Sequence, residues 1–277
     1  MDGSTTADLQ MSAAERERLA RDGFVVREAV FDAAERAQMQ QALDELVGRI
    51  LAVAKGEKMK LGSYMFERQS DLNTVVKWEP FAPEVLQGLE PFAHLSDEMM
   101  AWAMDPRFVD PCKAICGQDA LCLFTEKYNL KPARDGGKYI LHQDFPYWEA
   151  NCPVAANVAT AMLFLDDAHR GNGCLEVAPG SHTVGKHKRR SDDIYHSLEM
   201  DEAAFDMGRL IPLEVPAGSV VWFGAFLVHR SLPNTSDADR KALLFSYQPA
   251  GNLHAKDLPR KRKWWEDEEL KRRNGLL

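Results

Sequence analysis

The sequence predicts a mainly β protein with flanking helices, whose core is a double-stranded β-helix, the jelly-roll form of a β-barrel. Two observations indicate this fold. The first third of the chain has helical patterning with capping residues, and from Leu121 onward short β-favourable runs alternate with turn residues. Eight such runs favour a two-layered barrel, which closes its edges and leaves a mouth for a ligand. The runs lie at 121–130, 138–143, 157–165, 174–177, 209–214, 219–223, 227–230 and 241–249.

Two helix starts are marked by capping boxes, in which the side chain and backbone of a helix N-terminus exchange hydrogen bonds. Ser12 is followed three residues later by Glu15, and Asp32 by Glu35. After the second box, apolar residues recur at helical spacing over residues 35–51. Three other elements are predicted: a strand at 23–26 and helices at 97–104 and 105–115, the last of them ended by Gly117.

A single domain is predicted for residues 1–277, because all-β barrels of this length commonly form one domain. About 1–120 is predicted as mostly helical support, about 121–250 as the jelly-roll core and about 251–277 as a C-terminal tail. Within the tail, residues 261–273 mix acidic and basic side chains around two tryptophans. That pattern predicts a surface helix docked through its tryptophans.

Composition excludes several classes of protein. The formal net charge of −8 argues against general nucleic-acid binding, which requires a basic surface. No apolar run approaches the roughly 20 residues of a membrane span, and the first ten residues lack the regions of a secretory signal. A cytosolic protein without membrane contact is therefore predicted, with its five cysteines as thiols. No signal favours a particular oligomeric state.

Three side chains form a candidate iron site. His142 and Asp144 are predicted on one strand, where residues i and i+2 point to the same side and Gln143 faces away. The triplet alone carries little weight, since roughly 0.6 His-x-Asp matches are expected by chance in a chain of this composition. His229 ends an apolar strand, where a buried imidazole needs a partner such as a metal. Two histidines and one carboxylate can bind non-haem Fe(II) and leave positions open for oxygen chemistry.

Arg240 opens the last predicted strand among apolar neighbours and is expected to have a buried anionic partner. A guanidinium can bind a carboxylate through two parallel hydrogen bonds, as a dicarboxylate co-substrate would require. The alternative is a structural salt bridge with a nearby aspartate. Ser231, two residues after His229, is expected on the same face of its strand.

These residues belong to longer motifs. His142-Gln143-Asp144-Phe145 is followed by Trp148, residues 172–182 read Asn-Gly-x-Leu-x-x-x-Pro-Gly-Ser-His, and Arg240 comes eleven residues after His229. In this combination, over about residues 14–250, the chain resembles the phytanoyl-CoA dioxygenase family of Fe(II)/2-oxoglutarate oxygenases, which includes ectoine hydroxylase. The resemblance implies a cupin-like jelly roll that uses iron, 2-oxoglutarate and O2.

The resemblance also implies roles for individual residues and a reaction. That reaction is hydroxylation of an unactivated C–H of a small molecule, with 2-oxoglutarate converted to succinate and CO2. Halogenating relatives replace the carboxylate ligand, so the intact Asp144 disfavours halogenation, and Thr125, where the ectoine enzyme has glutamine, disfavours ectoine as substrate. The implied iron ligands are His142, Asp144 and His229, and the implied 2-oxoglutarate contacts are Arg240, Ser231 and Asn129.

Substrate contacts are predicted from position in the sequence. Phe145, Tyr147 and Trp148 follow the ligand strand and can either contact substrate or belong to the core. The basic run 186–190 can either attract an anionic substrate or form a solvated loop. Residues 61–77 have little periodicity and are predicted as a lid, with Tyr64, Phe66 and Arg68 as its notable side chains.

Two other functions stay open. A barrel that binds a metal and senses or stores a ligand would keep the histidines but would not need Arg240. An oxygenase with the same iron chemistry can also desaturate, epoxidise or close a ring, because these outcomes differ only in how the substrate is placed.

Overall fold

The structure is a computed structural model that describes residues 9–61, 64–188 and 199–258. Five α-helices occur in these residues: α1 (Ala13–Asp22), α2 (Ala33–Val53), α3 (Asp97–Ala103), α4 (Pro106–Cys116) and α5 (Phe145–Trp148). The strands in the same residues are β1 (Phe24–Arg27), β2 (Lys58–Leu61), β3 (Tyr64–Gln69), β4 (Thr74–Glu79), β5 (Ala82–Glu90), β6 (Leu121–Lys131), β7 (Tyr139–His142), β8 (Ala159–Phe164), β9 (Leu175–Val177), β10 (Ile211–Leu213), β11 (Val220–Gly224), β12 (His229–Ser231) and β13 (Arg240–Pro249).

The strands form two antiparallel sheets that pack on each other. The larger has the order β1-β11-β8-β13-β6-β5-β4-β3-β2 and the smaller β10-β9-β12-β7. Side chains of both sheets meet in one buried cluster, which includes Phe164, Val177 and Phe223. This confirms the predicted jelly roll, and all eight strands predicted beyond residue 120 are present with ends within two residues of their predicted positions.

The other face of the large sheet packs on the helices. Along β13, Ala242 and Leu244 point between the sheets, whereas Leu243, Phe245 and Tyr247 belong to the core that includes α2 and α4. Two buried hydrogen bonds join the layers: the indole of Trp222 donates to the Phe108 carbonyl at 3.2 Å, and the Tyr247 hydroxyl donates to the Ala103 carbonyl at 2.6 Å. The helices therefore support the sheet from behind.

Local signals at the helix ends are confirmed. Ser12 and Asp32 are N-caps with both hydrogen bonds of a capping box, to Glu15 and Glu35. Gly117 ends α4 with a φ of 66°, a left-handed conformation that glycine adopts without a Cβ clash. None of the described helices has the length and apolarity of a membrane span. All five cysteines are free thiols.

The prediction of mostly helical support before residue 120 is wrong for residues 58–90. This segment forms β2 to β5, which extend the large sheet beyond β6. The alternating burial of β4 is the two-residue period of a half-buried strand. Gly88 permits the junction with β6, because a Cβ there would lie 2.0 Å from the Tyr128 carbonyl oxygen. The predicted tail helix at 261–273 lies outside the described residues.

Candidate metal centre and its cavity

The two histidines of the predicted iron site face each other across paired strands. β12 pairs with β7 so that His229 lies directly opposite His142, and their ring centroids are 4.1 Å apart. Each Nδ1 lies within hydrogen-bond distance of a backbone carbonyl two residues earlier, Ile140 at 2.7 Å and Leu227 at 3.0 Å. A carbonyl can only accept, so each Nδ1 carries the proton and each Nε2 keeps its lone pair for a metal.

Asp144 reaches the histidines by a turn and not, as predicted, from the same strand. β7 ends at His142, and Asp144 has helical dihedral angles immediately before α5. One carboxylate oxygen lies 3.9 Å from His142 Nε2, and ligand atoms of all three residues lie within 4.8 Å of one another. Gln143 faces away as predicted, because its side chain binds the backbone of Gly185, Phe226 and His187.

The electrostatics suit a divalent cation. Burial, reinforced by the neighbouring His229, lowers the pKa of His142 to about 3, and burial also lowers the pKa of His229. Burial alone would raise the pKa of Asp144, but the Lys127 ammonium and the two imidazoles outweigh it and hold that pKa below its ordinary value. The site therefore presents two neutral imidazoles and one carboxylate at neutral pH, the protonation states in which these groups bind metals.

Arg240 is a buried cation with free hydrogen-bonding capacity. Its Nη2 donates to the Gly173 carbonyl at 3.0 Å and to the Ser231 hydroxyl at 3.4 Å. Its Nε and Nη1 are buried without a partner within the described part of the chain. Burial lowers the pKa of Arg240 to about 10, which leaves it charged at neutral pH. Since an unpaired buried guanidinium is costly, these two nitrogens fit a bound carboxylate.

The alternative of a structural salt bridge at Arg240 is wrong for the residues that the structure describes. Neighbouring aspartates bind backbone groups instead: Asp166 accepts from the Lys241 amide and Asp239 from the Ala133 amide. Ser231 lies beside Arg240 as expected. Its hydroxyl donates to the Gly173 carbonyl at 2.7 Å and so helps to fix the position of the guanidinium.

Residues 172–182 hold the other parts of the site in place. The Gly173 carbonyl accepts from both Arg240 and Ser231, and Gly173 has a φ of 73°. A Cβ at this position would lie 2.2 Å from the Leu232 carbonyl oxygen. At the other end of the segment, the Ser181 hydroxyl accepts from the Val228 amide at 2.9 Å, next to His229. The segment thus positions both the arginine and one histidine.

These side chains share one cavity of about 260 Å³. Of the predicted substrate contacts, Tyr147 and Trp148 line it, whereas Phe145 stacks on Phe226 with ring centroids 4.4 Å apart and does not. The cavity lining also includes Asn129, as the resemblance implied. The full lining is Tyr64, Lys77, Glu90, Lys127, Asn129, Tyr139, His142, Asp144, Tyr147, Trp148, Met162, Leu175, Phe223, His229, Arg230, Ser231, Arg240 and Leu244.

The basic run forms ion pairs away from the cavity, and most of the predicted lid forms strands. Lys186 pairs with Glu149 at 2.5 Å and Lys188 with Asp201 at 3.5 Å, and neither lysine lines the cavity. Residues 189–190 of the basic run lie outside the described residues. Most of the predicted lid is β3 and β4, and its Tyr64 hydroxyl lies 2.9 Å from the Tyr147 hydroxyl at the cavity.

Sequence reasoning assigned no role to three charged residues at the end of the cavity near Asp144. They are Lys77 on β4, Glu90 on β5 and Lys127 on β6. A signal was available for Lys127, because it lies within the strand predicted at 121–130 and lysine is rarely buried in a strand without a partner. Lys77 and Glu90 could be found only by assigning β4 and β5.

A jelly roll that brings two histidines and an aspartate together beside a buried arginine has the ligand set of the non-haem Fe(II) oxygenases. The family model for phytanoyl-CoA dioxygenase (PhyH) matches residues 19–242, and the chain belongs to this family of Fe(II)/2-oxoglutarate oxygenases.

Individual relatives agree with this assignment. The L-proline trans-4-hydroxylase of Streptomyces griseoviridis is 35% identical over 157 residues, which are 48% of this chain; the match spans only 56% of the hydroxylase. The ectoine dioxygenase of Sphingopyxis alaskensis is 27% identical over 263 residues, covering 89% of this chain and 79% of the relative. The crystal structure of EctD from S. alaskensis with 2-oxoglutarate and 5-hydroxyectoine superposes with a TM-score of 0.70 at 21% identity, covering 96% of this chain and 85% of that one. This structural likeness supports the jelly-roll fold.

Proposed function

We propose that this dioxygenase hydroxylates an unactivated C–H bond of a small-molecule substrate, with His142, Asp144 and His229 as iron ligands and Arg240 as the 2-oxoglutarate anchor. One observation carries the proposal. Two imidazoles with free Nε2 atoms converge on a carboxylate in the cavity that also contains a buried guanidinium with two unpartnered nitrogens. A barrel that only bound a metal would have no use for that guanidinium.

The donor set fits the family's cofactors. Bound Fe(II), with 2-oxoglutarate and O2, supplies oxidative decarboxylation to succinate and CO2 and the oxidation of a C–H bond. The histidines contribute neutral nitrogen ligands whose ring orientation is set by the Ile140 and Leu227 carbonyls. Asp144 contributes the single negative charge, and Lys127, 3.5 Å from its carboxylate, keeps it ionised.

Strand register supports separate roles along the cavity. On β6, Lys127, Asn129 and Lys131 share one face, and they pair with Leu244, Ala242 and Arg240 of β13. Asn129 therefore lies midway between the arginine end and the end nearest Asp144. That position suits a contact with the co-substrate between its anchored carboxylate and the metal.

Nearby aromatic side chains favour a closed reaction site. Tyr147 packs edge-on against His142 with centroids 5.7 Å apart, and Phe223 lies 5.2 Å from His229. Such rings exclude water around the ligands, which protects a reactive oxidant from side reactions. The named activities of the proline and ectoine relatives support a small-molecule substrate and, in the former, hydroxylation.

The proposal is tested by adding Fe(II) and 2-oxoglutarate without oxygen and recording the visible charge-transfer band of the chelated keto acid. We expect the wild type to show the band and Arg240→Ala to lose it at moderate 2-oxoglutarate concentration. Arg21→Ala, which removes an exposed arginine outside the cavity lining, is the matched control and should keep it. Absence of the band in the wild type, together with no succinate in air, would refute the enzyme assignment.

The reaction outcome is tested by a metabolite screen scored first by succinate release and then by product mass. A gain of one oxygen atom, followed by demonstration of a new hydroxyl group, supports hydroxylation. Loss of two hydrogen atoms would instead indicate desaturation or ring closure.

A further inference from the structure

The end of the cavity opposite Arg240 is formed by a charged wall, consisting of Lys77, Glu90 and Lys127. Lys77 Nζ lies 2.5 Å from one oxygen of Glu90, and Lys127 Nζ lies 4.0 Å from the other. The three residues come from adjacent strands β4, β5 and β6. All three line the cavity and are largely buried.

The charged wall lies beside the metal ligands and away from the co-substrate anchor. Lys127 Nζ is 3.5 Å from the carboxylate of Asp144. Along β6, Lys127 is four residues from Lys131, the partner of Arg240, which corresponds to roughly 13 Å along a strand. The wall is therefore placed to contact a substrate held near the metal while Arg240 holds 2-oxoglutarate.

Among the residues that line the cavity, the charges of this wall sum to one positive charge in excess. Fe(II) and Arg240 would contribute three positive charges, which Asp144 and a 2-oxoglutarate dianion would balance. Arg230 is already paired with Glu176 at 2.6 Å. Within the cavity lining the wall then has two ammonium groups and one carboxylate, and its neighbours Tyr64 and Tyr147 add only hydroxyls; the buried carboxylate of Glu199, which acts on both tyrosines, is not part of the lining.

The lysines also have donors to spare. Each ammonium has three N–H groups, yet within the described part of the chain Lys77 hydrogen-bonds Glu90 alone. Lys127 lies near Asp144 and beyond hydrogen-bond distance from Glu90. Two carboxylates, those of Asp144 and Glu90, lie 3.5 and 4.0 Å from the Lys127 ammonium and favour its charged form. It therefore stays a cation in the cavity.

We propose that the primary substrate is a small molecule with one carboxylate, which binds the ammonium groups of Lys77 and Lys127 and so places the remainder of the molecule next to the metal ligands. The proposal rests on the proposed function and adds the substrate class. A single carboxylate cancels the excess charge of the wall, whereas a neutral or cationic group would leave it uncompensated in a buried site. A phosphate dianion would change the net charge of the wall from one positive to one negative.

The test is a screen of small carboxylic acids, each paired with its primary amide, with stimulation of succinate release as readout. The amide keeps the shape and removes the charge. We expect stimulation by acids and little by their amides. If amides or amines stimulate as well as the acids, or if no acid stimulates while the enzyme still turns over 2-oxoglutarate slowly by itself, the substrate class is wrong but the proposed function stands. If no succinate is released with any compound or without one, the result counts against the proposed function.

Variants then locate the contact. For the best acid, Lys77→Met should raise KM by about ten- to a hundredfold, the loss expected for one charged hydrogen bond, and leave the KM for 2-oxoglutarate unchanged. Lys77→Arg, which keeps the charge, should recover most of the affinity. The control Lys60→Met removes a lysine of β2, the edge strand of the same sheet, outside the cavity lining, and should change neither constant.

Anaerobic calorimetry with Fe(II) and 2-oxoglutarate present measures acid binding independently of turnover. Lys77 is the residue to substitute because, unlike Lys127, it does not contact a proposed metal ligand. Should Lys77→Met fail to fold, Lys77→Gln replaces it and the same comparison applies. Equal acid affinity in wild type and the uncharged variant would overturn the proposal.

Discussion

Gly173→Ala tests how closely the backbone at residue 173 holds Arg240, the proposed co-substrate anchor. Placing alanine at a φ of 73° costs roughly 1–2 kcal/mol for the left-handed conformation. The new methyl would also lie 2.2 Å from the Leu232 carbonyl oxygen and 3.0 Å from the Lys131 side chain, and such overpacking typically costs about 1–3 kcal/mol. Together these effects predict a loss of about 2–5 kcal/mol in the free energy of unfolding.

Gly117→Ala is the matched control, because Gly117 has a φ of 66° with open space where the alanine methyl would lie. It should lose only the conformational part, roughly 1–2 kcal/mol. Urea unfolding of the metal-free proteins measures both values, and the difference between them isolates the overlap at residue 173.

The same substitution should weaken 2-oxoglutarate binding. Relief of the overlap requires the backbone at residue 173 to move, and its carbonyl accepts hydrogen bonds from Arg240 and Ser231. We expect KM for 2-oxoglutarate to rise by about tenfold, as for loss of one charge-assisted hydrogen bond, while Gly117→Ala leaves it unchanged. Equal losses of stability in both variants, with the wild-type KM for 2-oxoglutarate kept in both, would show that the close contact of residue 173 with the Leu232 carbonyl has no such effect.

Three further predictions concern the metal ligands and their support. The pKa values of His142 and His229 are lowered in the folded chain, so as pH falls below about 6.5 the unfolded chain takes up protons that the folded chain excludes. The free energy of unfolding of the metal-free protein should then fall by up to about 1.4 kcal/mol per pH unit for each histidine. A urea-unfolding profile that stays flat between about pH 7.5 and 5 would contradict this. Asp144→Asn should abolish tight Fe(II) binding in calorimetry, whereas the exposed Asp237→Asn should bind iron like the wild type. Gln143→Ala removes the partners of three backbone groups and should lower the free energy of unfolding by about 1–3 kcal/mol; an unchanged thermal midpoint would show that water replaces the amide.

The sequence by itself determined the elements whose signals are local. Capping boxes at Ser12 and Asp32 and the alternation of β strands beyond residue 120 depend on residues within a few positions of one another. The proposed iron ligands and Arg240 could be named because their motifs keep a recognisable spacing. The pairing of β7 with β12 brings the two histidines together, and Asp144 joins them from the turn before α5.

Tertiary packing alone decided how the cavity is built. Arg240 has no aspartate partner within the described residues because Asp166 and Asp239 accept hydrogen bonds from backbone amides instead. The spacing of residues in the chain does not predict which of these partners an aspartate binds. The charged wall requires three strands to align, two of them from a segment with weak periodicity. Contacts such as Tyr64 with Tyr147, 83 residues apart, exist only after the sheets assemble, because side-chain neighbours across a fold are set by register and packing and not by local propensity.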